Sequence, residues 1–429
     1  MPSTASGGAP VAVSGSGVVS PIGVGVAAFE EALFAGRSAV RAHRVDLPGL
    51  EIPLVPIAGA DFDSAAVVAP SRLPLDRATA MALVAAEEAA LQAGLAASDI
   101  DSERLGVFWG SGMAGASTFE ATCRTVYAER RRMRPTSVVT TMPNAPTAEL
   151  ALRFGARGAA LAYACACASS AVAIGEAMRA IRAGWIDVAI AGGSESLLSP
   201  GVVAGWQAMR VLAPLATGVS AEAAARACRP FAADRAGFAL GEAAAAFVLE
   251  SAEHARARRA GVQAWLAGYA TNCDGAHITL PDAAGQARAM RSALADAGLG
   301  PSDIGHVNAH GTATTAGDAA EAESIAAVFG AGAVPVSSTK AIHGHLLGAG
   351  GAVELLAVLR ALAQERLPPT AGTTTIDPAF AIDVVVGCAR PAPGLSHVLS
   401  NSFAFGGTNG VLVATRSDRH RCGAEPMRE

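Results

Sequence analysis

Short apolar runs alternate along the chain with longer alanine-rich stretches whose apolar positions recur at helical spacing. The runs VAVSGSG (11–17), LGVFWGSG (105–112), LAYACACA (161–168), VAIAGG (188–193) and AAFVLE (245–250) read as strands. HVNAHG (306–311), VPVSST (334–339), VLSNSF (398–403) and GVLVAT (410–415) continue the series. The intervening stretches at 76–94, 169–184 and 284–299 read as helices. This alternation predicts an α/β protein with largely parallel strands. A charge-rich helix, SAEHARARRAG (251–261), divides it into an N-terminal half, 1–255, and a C-terminal half, 256–429. Each half holds a strand, a helix to pack on it and a glycine-rich turn, a weak two-fold echo. The final stretch, RSDRHRCGAEPMRE, reads as a frayed tail.

Composition adds scale. A chain of 429 residues exceeds one average domain, and 51% hydrophobic against 16% charged residues calls for a large core, an interface, or both. No uninterrupted apolar run reaches the roughly 18 residues that span a bilayer. The opening MPSTASGGAPVAV lacks the basic region of a signal peptide. Together these predict a soluble cytoplasmic protein that needs no membrane. Seven scattered cysteines form neither a disulfide framework nor a CxxC zinc pattern, which predicts reduced thiols. A net charge of −5 gives no reason to expect nucleic acid. The one dense basic run, AERRRMR with Arg130, Arg131, Arg132 and Arg134, reads either as a solvated helix end or as a docking patch for an acidic partner.

Lys340 is the only lysine in the chain; every other basic residue apart from histidine is arginine. A lysine kept under that bias offers a compact point charge where a planar fork will not serve. It lies in SSTKAIHGHLLGAGGAVE (337–354), beside two histidines and a carboxylate. In LAYACACASSAVAIGEAMRAIRAG a strand runs into a helix with almost no loop, and Cys167 falls at the junction. Unpaired N–H groups and the helix dipole there are expected to lower its pKa and favour the thiolate. Cys165, placed inside the strand, is expected to be inert. His310 and His345 each end a similar short run. A thiol with two imidazoles suits acyl-thioester chemistry, in which the thiolate takes the acyl group and the imidazoles donate hydrogen bonds to an oxyanion or enolate. Other readings remain open on these residues alone. His343 and His345 with a cysteine suggest zinc but lack the usual spacings, and Gly15-Ser16-Gly17 is only part of a dinucleotide fingerprint.

The segments VSGSGVVSPIG, CASSAVAIGEA, CRPFAADRAGFALGEAAAAFVLE, VNAHGTATTAGDAAE, SSTKAIHGHLLGAGGAVE and SNSFAFGGTNGVLV, in this order, resemble the elongating β-ketoacyl synthases of fatty-acid and polyketide assembly. These are thiolase-fold condensing enzymes, and the resemblance runs from about Val11 to Thr415. It implies two pseudo-equivalent halves stacked as five αβαβα layers, working as a homodimer or a ketosynthase heterodimer. It implies Cys167 as acylated nucleophile, His310 and His345 as catalytic imidazoles, and Lys340 near Glu354 ordering the site. The N–H groups of Cys167 and Phe405 would form an oxyanion hole. Thr312 and Thr314 would hold the phosphopantetheine arm. Met113 would border the acyl pocket together with Thr141, the latter contributed across the dimer. No metal or organic cofactor is implied, since phosphopantetheine arrives on the acyl carrier protein, a partner that Arg130, Arg131 and Arg134 would dock. The chain departs from the family pattern at Cys165, usually threonine, at Ala404, usually glycine, and at Trp206 and Ser137, often phenylalanine. These departures are expected to reshape gating and the substrate cavity. A non-condensing partner subunit would lack the nucleophile, and a degradative thiolase would carry a second cysteine in the SNSFAFGGTNG motif; this chain fits neither pattern.

Overall fold

The main strands of the first half are β1 (Val11–Ser20), β2 (Leu105–Gly110), β3 (Ala160–Tyr163), β4 (Val188–Ser196) and β5 (Leu240–Glu250). Those of the second are β6 (Ala264–Cys273), β7 (His306–Asn308), β8 (Pro335–Ser337), β9 (His397–Phe403) and β10 (Thr408–Arg416). The computed structural model describes residues 8–95 and 100–417, so 418–429, with Cys422, lie outside the described residues. The first five strands lie in the order β3-β2-β4-β5-β1 and the second five in the order β8-β7-β9-β10-β6. By position within its half, each set has the same permutation. The sets meet where Val11–Val13 of β1 pairs with Ala264–Leu266 of β6.

Helices fill the spaces on both sides. Arg77–Ala93 (α1) covers the outer face of β1, β4 and β5. Ser169–Arg182 (α2) lies between β2 and β4 on one side and β6 and β10 on the other. Ala283–Ala297 (α3) covers β6 and β10, with Thr315–Phe329 (α4) packed on it, and Gly350–Gln364 (α5) joins α2 between the sheets. The result is the five-layered αβαβα stack. The central layer is apolar: Ile174, Met178, Val353, Leu356 and Leu359 share one buried cluster with Phe247 and Leu412 from the two sheets. Residues 347–364 are long and apolar enough to cross a membrane, despite Glu354 and Arg360, yet 83% of that stretch is buried inside the protein. Its composition answers to a core position between two sheets.

Strand direction departs from the sequence expectation. Only β2 with β3 and β4, and β7 with β8 and β9, pair in parallel among these strands. The β1–β5, β4–β5, β6–β10 and β9–β10 pairs are antiparallel. Continuous apolar runs reflect burial on both faces, commonest in parallel sheets. Here helices cover both faces of antiparallel strands too, and β1 and β5 are buried at every position.

Candidate active site

The nucleophile strand ends earlier than its sequence suggests. β3 stops at Tyr163, and a turn leads through a short 3-10 segment, Ala166–Ala168, into α2. Ala166 takes the left-handed φ of 47°, an unfavourable conformation for a residue with a Cβ. That kink presents buried Cys167 at the helix start. The helix start presses on β2 so closely that a Cβ on Gly110 would sit 2.3 Å from the Ser169 carbonyl carbon. Cys165 lies in the turn instead of the strand, half-buried, its N–H donating to Ser169 Oγ. Burial and Glu176 push its thiol up.

Four further side chains from the second half converge on Cys167 or on one another. His310 follows β7, and its backbone N–H and that of Gly311 donate to buried Glu321 at 2.7 and 2.6 Å. His345 is held in extended backbone beside β5, its N–H donating to Ala239 O and its carbonyl accepting from Gly241. Its Nε2 lies 3.1 Å from Cys167 Sγ, and its ring meets that of His310 edge-on at 5.4 Å. Lys340, wholly buried, is 3.4 Å from His310 Nδ1 and bonds Glu354 of α5.

These contacts set the protonation states. Burial first, then Lys340 and the neighbouring histidine, holds both imidazoles well below the ordinary histidine value. Both are neutral at pH 7. The ammonium at His310 Nδ1 leaves Nε2 as the protonated nitrogen, and the Leu347 N–H aimed at His345 Nδ1 does the same there. Both rings therefore carry an Nε2–H, and that of His345 faces the thiol. The expectation of a lowered Cys167 pKa is not met. Burial pushes that thiol up to about 12, against the opposing pull of Lys340. A helix end lowers a thiol's pKa only as far as desolvation allows, and this one is buried. The resting pair is neutral thiol and neutral imidazole.

Cys167, His310 and His345 open onto a cavity of about 280 Å³. Thr312, Thr314, Trp206 and Phe405 line it. Trp206 stacks on Phe405 at 6.4 Å and meets Phe238 edge-on at 5.8 Å. Among the described residues the Phe405 N–H has no partner, so it is free for a ligand oxygen. Met113 does not line this cavity; its N–H donates to Glu195 and its side chain is 48% exposed. Thr141 does not line it either. The AFGG turn keeps its two left-handed glycines, Gly406 at 85° and Gly407 at 76°, whereas Ala404 is not left-handed. Alanine is therefore tolerated at 404 without strain. Arg130, Arg131 and Arg134 are exposed, far along the chain from any cavity-lining residue.

The sequence reading missed three carboxylates and one segment. Glu195, Glu321 and Asp318 are buried acceptors of backbone N–H groups around the site. The segment around Asp274, His277 and Thr279 lines the cavity mouth and carried no pattern at all. As for metals, Cys167, His310 and His345 place their ligand atoms within 4.8 Å of one another. The Lys340 ammonium beside them disfavours a cation. His343 points away, to Thr339 Oγ1 and Gly344 O, so the His343-x-His345 pair does not converge.

Burial of the Lys340–Glu354 pair sets what substitution there should do. Lys340→Ala strands a buried carboxylate, which typically costs about 3–5 kcal/mol. Lys340→Arg keeps the charge but overpacks the site, by roughly 1–3 kcal/mol. Urea unfolding is expected to rank wild type above arginine above alanine. Equal stability in all three would show that the pair contributes nothing to the fold.

Residues 8–255 match the family described as Beta-ketoacyl synthase, N-terminal domain, and residues 263–374 match its C-terminal domain. The chain is 38% identical to Nodulation protein E of Rhizobium leguminosarum bv. trifolii, over 94% of this chain and 98% of that one. It is 36% identical to 3-oxoacyl-[acyl-carrier-protein] synthase 2 of Staphylococcus aureus (strain N315), over 94% and 97%. Among solved structures it is similar to a type II PKS acyl-carrier protein in complex with its ketosynthase bound to the hexaketide, with a TM-score of 0.87 and 30% identity over 96% of this chain and 100% of that one. It is also similar to a Beta-ketoacyl synthase from Burkholderia phymatum STM815, with a TM-score of 0.84 and 34% identity over 95% and 100%. With the thiolase-fold layers, the converged cysteine and histidines and these relatives all in agreement, the chain belongs to the β-ketoacyl synthase family.

Proposed function

We propose that the chain performs a decarboxylating Claisen condensation in fatty-acid or polyketide assembly, with Cys167, His310 and His345 as its reacting groups. The observation that carries this reading is the 3.1 Å contact between His345 Nε2 and Cys167 Sγ beneath a cavity. In the first half-reaction Cys167 sulfur attacks an acyl thioester on acyl carrier protein. The carbon–sulfur bond to pantetheine breaks, and the thiol proton leaves with the pantetheine sulfur. In the second, a malonyl thioester loses carbon dioxide, and the electrons of that carbon–carbon bond pass into the thioester carbonyl. The Nε2–H groups of His310 and His345 stabilise the enolate oxygen. Enolate carbon then attacks the acyl-Cys167 carbonyl, whose oxyanion sits against the Cys167 and Phe405 N–H groups. Collapse breaks the carbon–sulfur bond, and the released sulfur takes a proton from water. Lys340 fixes the His310 tautomer; Thr312 and Thr314 contact the pantetheine arm. No step calls for a metal or organic cofactor.

The reading extends to partners. Solved relatives include a ketosynthase in complex with its chain length factor, and this chain exposes Val138, Val139, Met142, Leu152 and Leu161 in its first half. A dimer that covers them, homomeric or with such a partner, fits that surface, with Met113 and Thr141 completing an acyl pocket across it. Acidic carrier protein would dock on Arg130, Arg131 and Arg134. Charge reversal at these three is expected to weaken carrier binding and flatten its salt dependence. Turnover of a small pantetheine thioester should hardly change; equal loss with both substrates would make the arginines structural. Intact mass after incubation with a panel of acyl-carrier thioesters tests the central claim. An acyl group retained on Cys167 supports it, and none retained from any thioester sinks it.

A further inference from the structure

Glu195 is fully buried at the end of β4, with no cation paired to it among the described residues. Its carboxylate accepts instead from the N–H of Gly112 at 2.5 Å, that of Met113 at 3.2 Å, Ser111 Oγ at 3.2 Å and the N–H of Gly348 at 3.2 Å. Apart from the hydroxyl, every donor is an N–H group with nothing to accept in return, so these bonds favour both oxygens as acceptors against the burial that pushes this carboxyl up to about 7. The packing is tight: a Cβ on Gly348 would lie 2.6 Å from Glu195 Oε2 and 2.3 Å from the Gly112 nitrogen. The carboxylate thus joins the turn after β2 to the 3-10 segment Leu347–Ala349 that opens α5.

That segment begins in a conformation it would not choose. Leu347 sits at a left-handed φ of 48°, unfavourable for a branched side chain unless its surroundings impose it. Gly348, the next residue, is the one Glu195 holds. The Leu347 N–H points back at His345 Nδ1, 3.4 Å away, and the opposite nitrogen of that ring faces Cys167 Sγ.

We propose that Glu195 is a positioning residue for His345: by holding the Gly348 N–H it keeps Leu347 left-handed, and the Leu347 N–H then fixes His345 as the Nε2–H tautomer that faces Cys167. The inference rests on the reading of His345 as a donor to the enolate oxygen. Glutamate is required because a carboxamide of the same shape has one acceptor oxygen and would turn an N–H₂ toward a backbone donor.

The test compares wild type, Glu195→Gln and His345→Ala in the full chain. Imidazole ¹⁵N signals report the tautomer, and the signal that disappears in His345→Ala identifies His345. Wild type is expected to show a single Nε2–H form and Glu195→Gln a mixture of both. Decarboxylation of malonyl-carrier thioester should fall about 10²-fold in kcat for Glu195→Gln, the usual effect of a misplacement near 1 Å, with KM hardly moved. Should the glutamine variant fail to fold, Glu195→Asp keeps the charge but withdraws it from Gly348, and the same mixed spectrum is expected. A wild-type His345 protonated on Nδ1, or an unchanged tautomer in either Glu195 variant, would overturn the proposal. If His345→Ala itself decarboxylated normally, the fault would lie in the role given to His345, and the tautomer spectra would still decide whether Glu195 sets its state.

Discussion

Cys167→Ala is expected to abolish self-acylation and condensation, with a loss on the order of 10⁶, as for other nucleophiles that act as a unit with their partners. Malonyl decarboxylation should continue in the same variant, because it depends on the two Nε2–H donors and on no sulfur. Cys165→Ala should keep most of its activity: its thiol stands outside the cavity, in the turn before the nucleophile. The alanine variant is well suited to the test, since Cys167 is small and its removal leaves the kink at Ala166 in place. Intact mass and a peptide map check both claims at once. Acyl label on Cys165, or condensation surviving without Cys167, would end the assignment.

The second large effect concerns the imidazoles. His310→Ala and His345→Ala should each slow malonyl decarboxylation by roughly 10²–10³, the cost of losing one preorganised donor to developing negative charge. Acyl loading of Cys167 should suffer less in both. A pH profile adds a check that does not depend on mutation. The donor is the neutral imidazole, and burial with Lys340 holds both folded-state pKa values well below 6.5. Activity is lost only as pH falls through those lowered values, so the acid limb of decarboxylation should lie below pH 6.5. A limb at or above 6.5 would mean that the imidazoles are hydrated and not enclosed as described.

Much of the site was legible in the chain because its residues announce themselves locally. Cys167 and His310 each follow a short apolar run and precede small residues, a pattern that places a reactive side chain at a strand end, and His345 and Lys340 share one glycine-rich segment. The single lysine stood out by composition alone, and wholly buried Lys340 bonds Glu354. Helices followed from periodicity, and the layers from the family resemblance. What the sequence could not determine depends on neighbours distant along the chain. Cys167 and His345 lie 178 residues apart, and whether a helix-end thiol ionises turns on how far the second half encloses it. Enclosure won over the helix dipole, because desolvation disfavours charge more strongly than a few N–H groups favour it. Strand direction was misread for a related reason, since burial on both faces, and not parallel pairing, makes a strand apolar throughout. Glu195 had no local signature because its four donors come from turns that only the fold brings together. Residue chemistry and spacing determined which groups are candidates to react; the tertiary structure decided their charge, tautomer and partners, which are set by solvent exclusion and by contacts no local window contains.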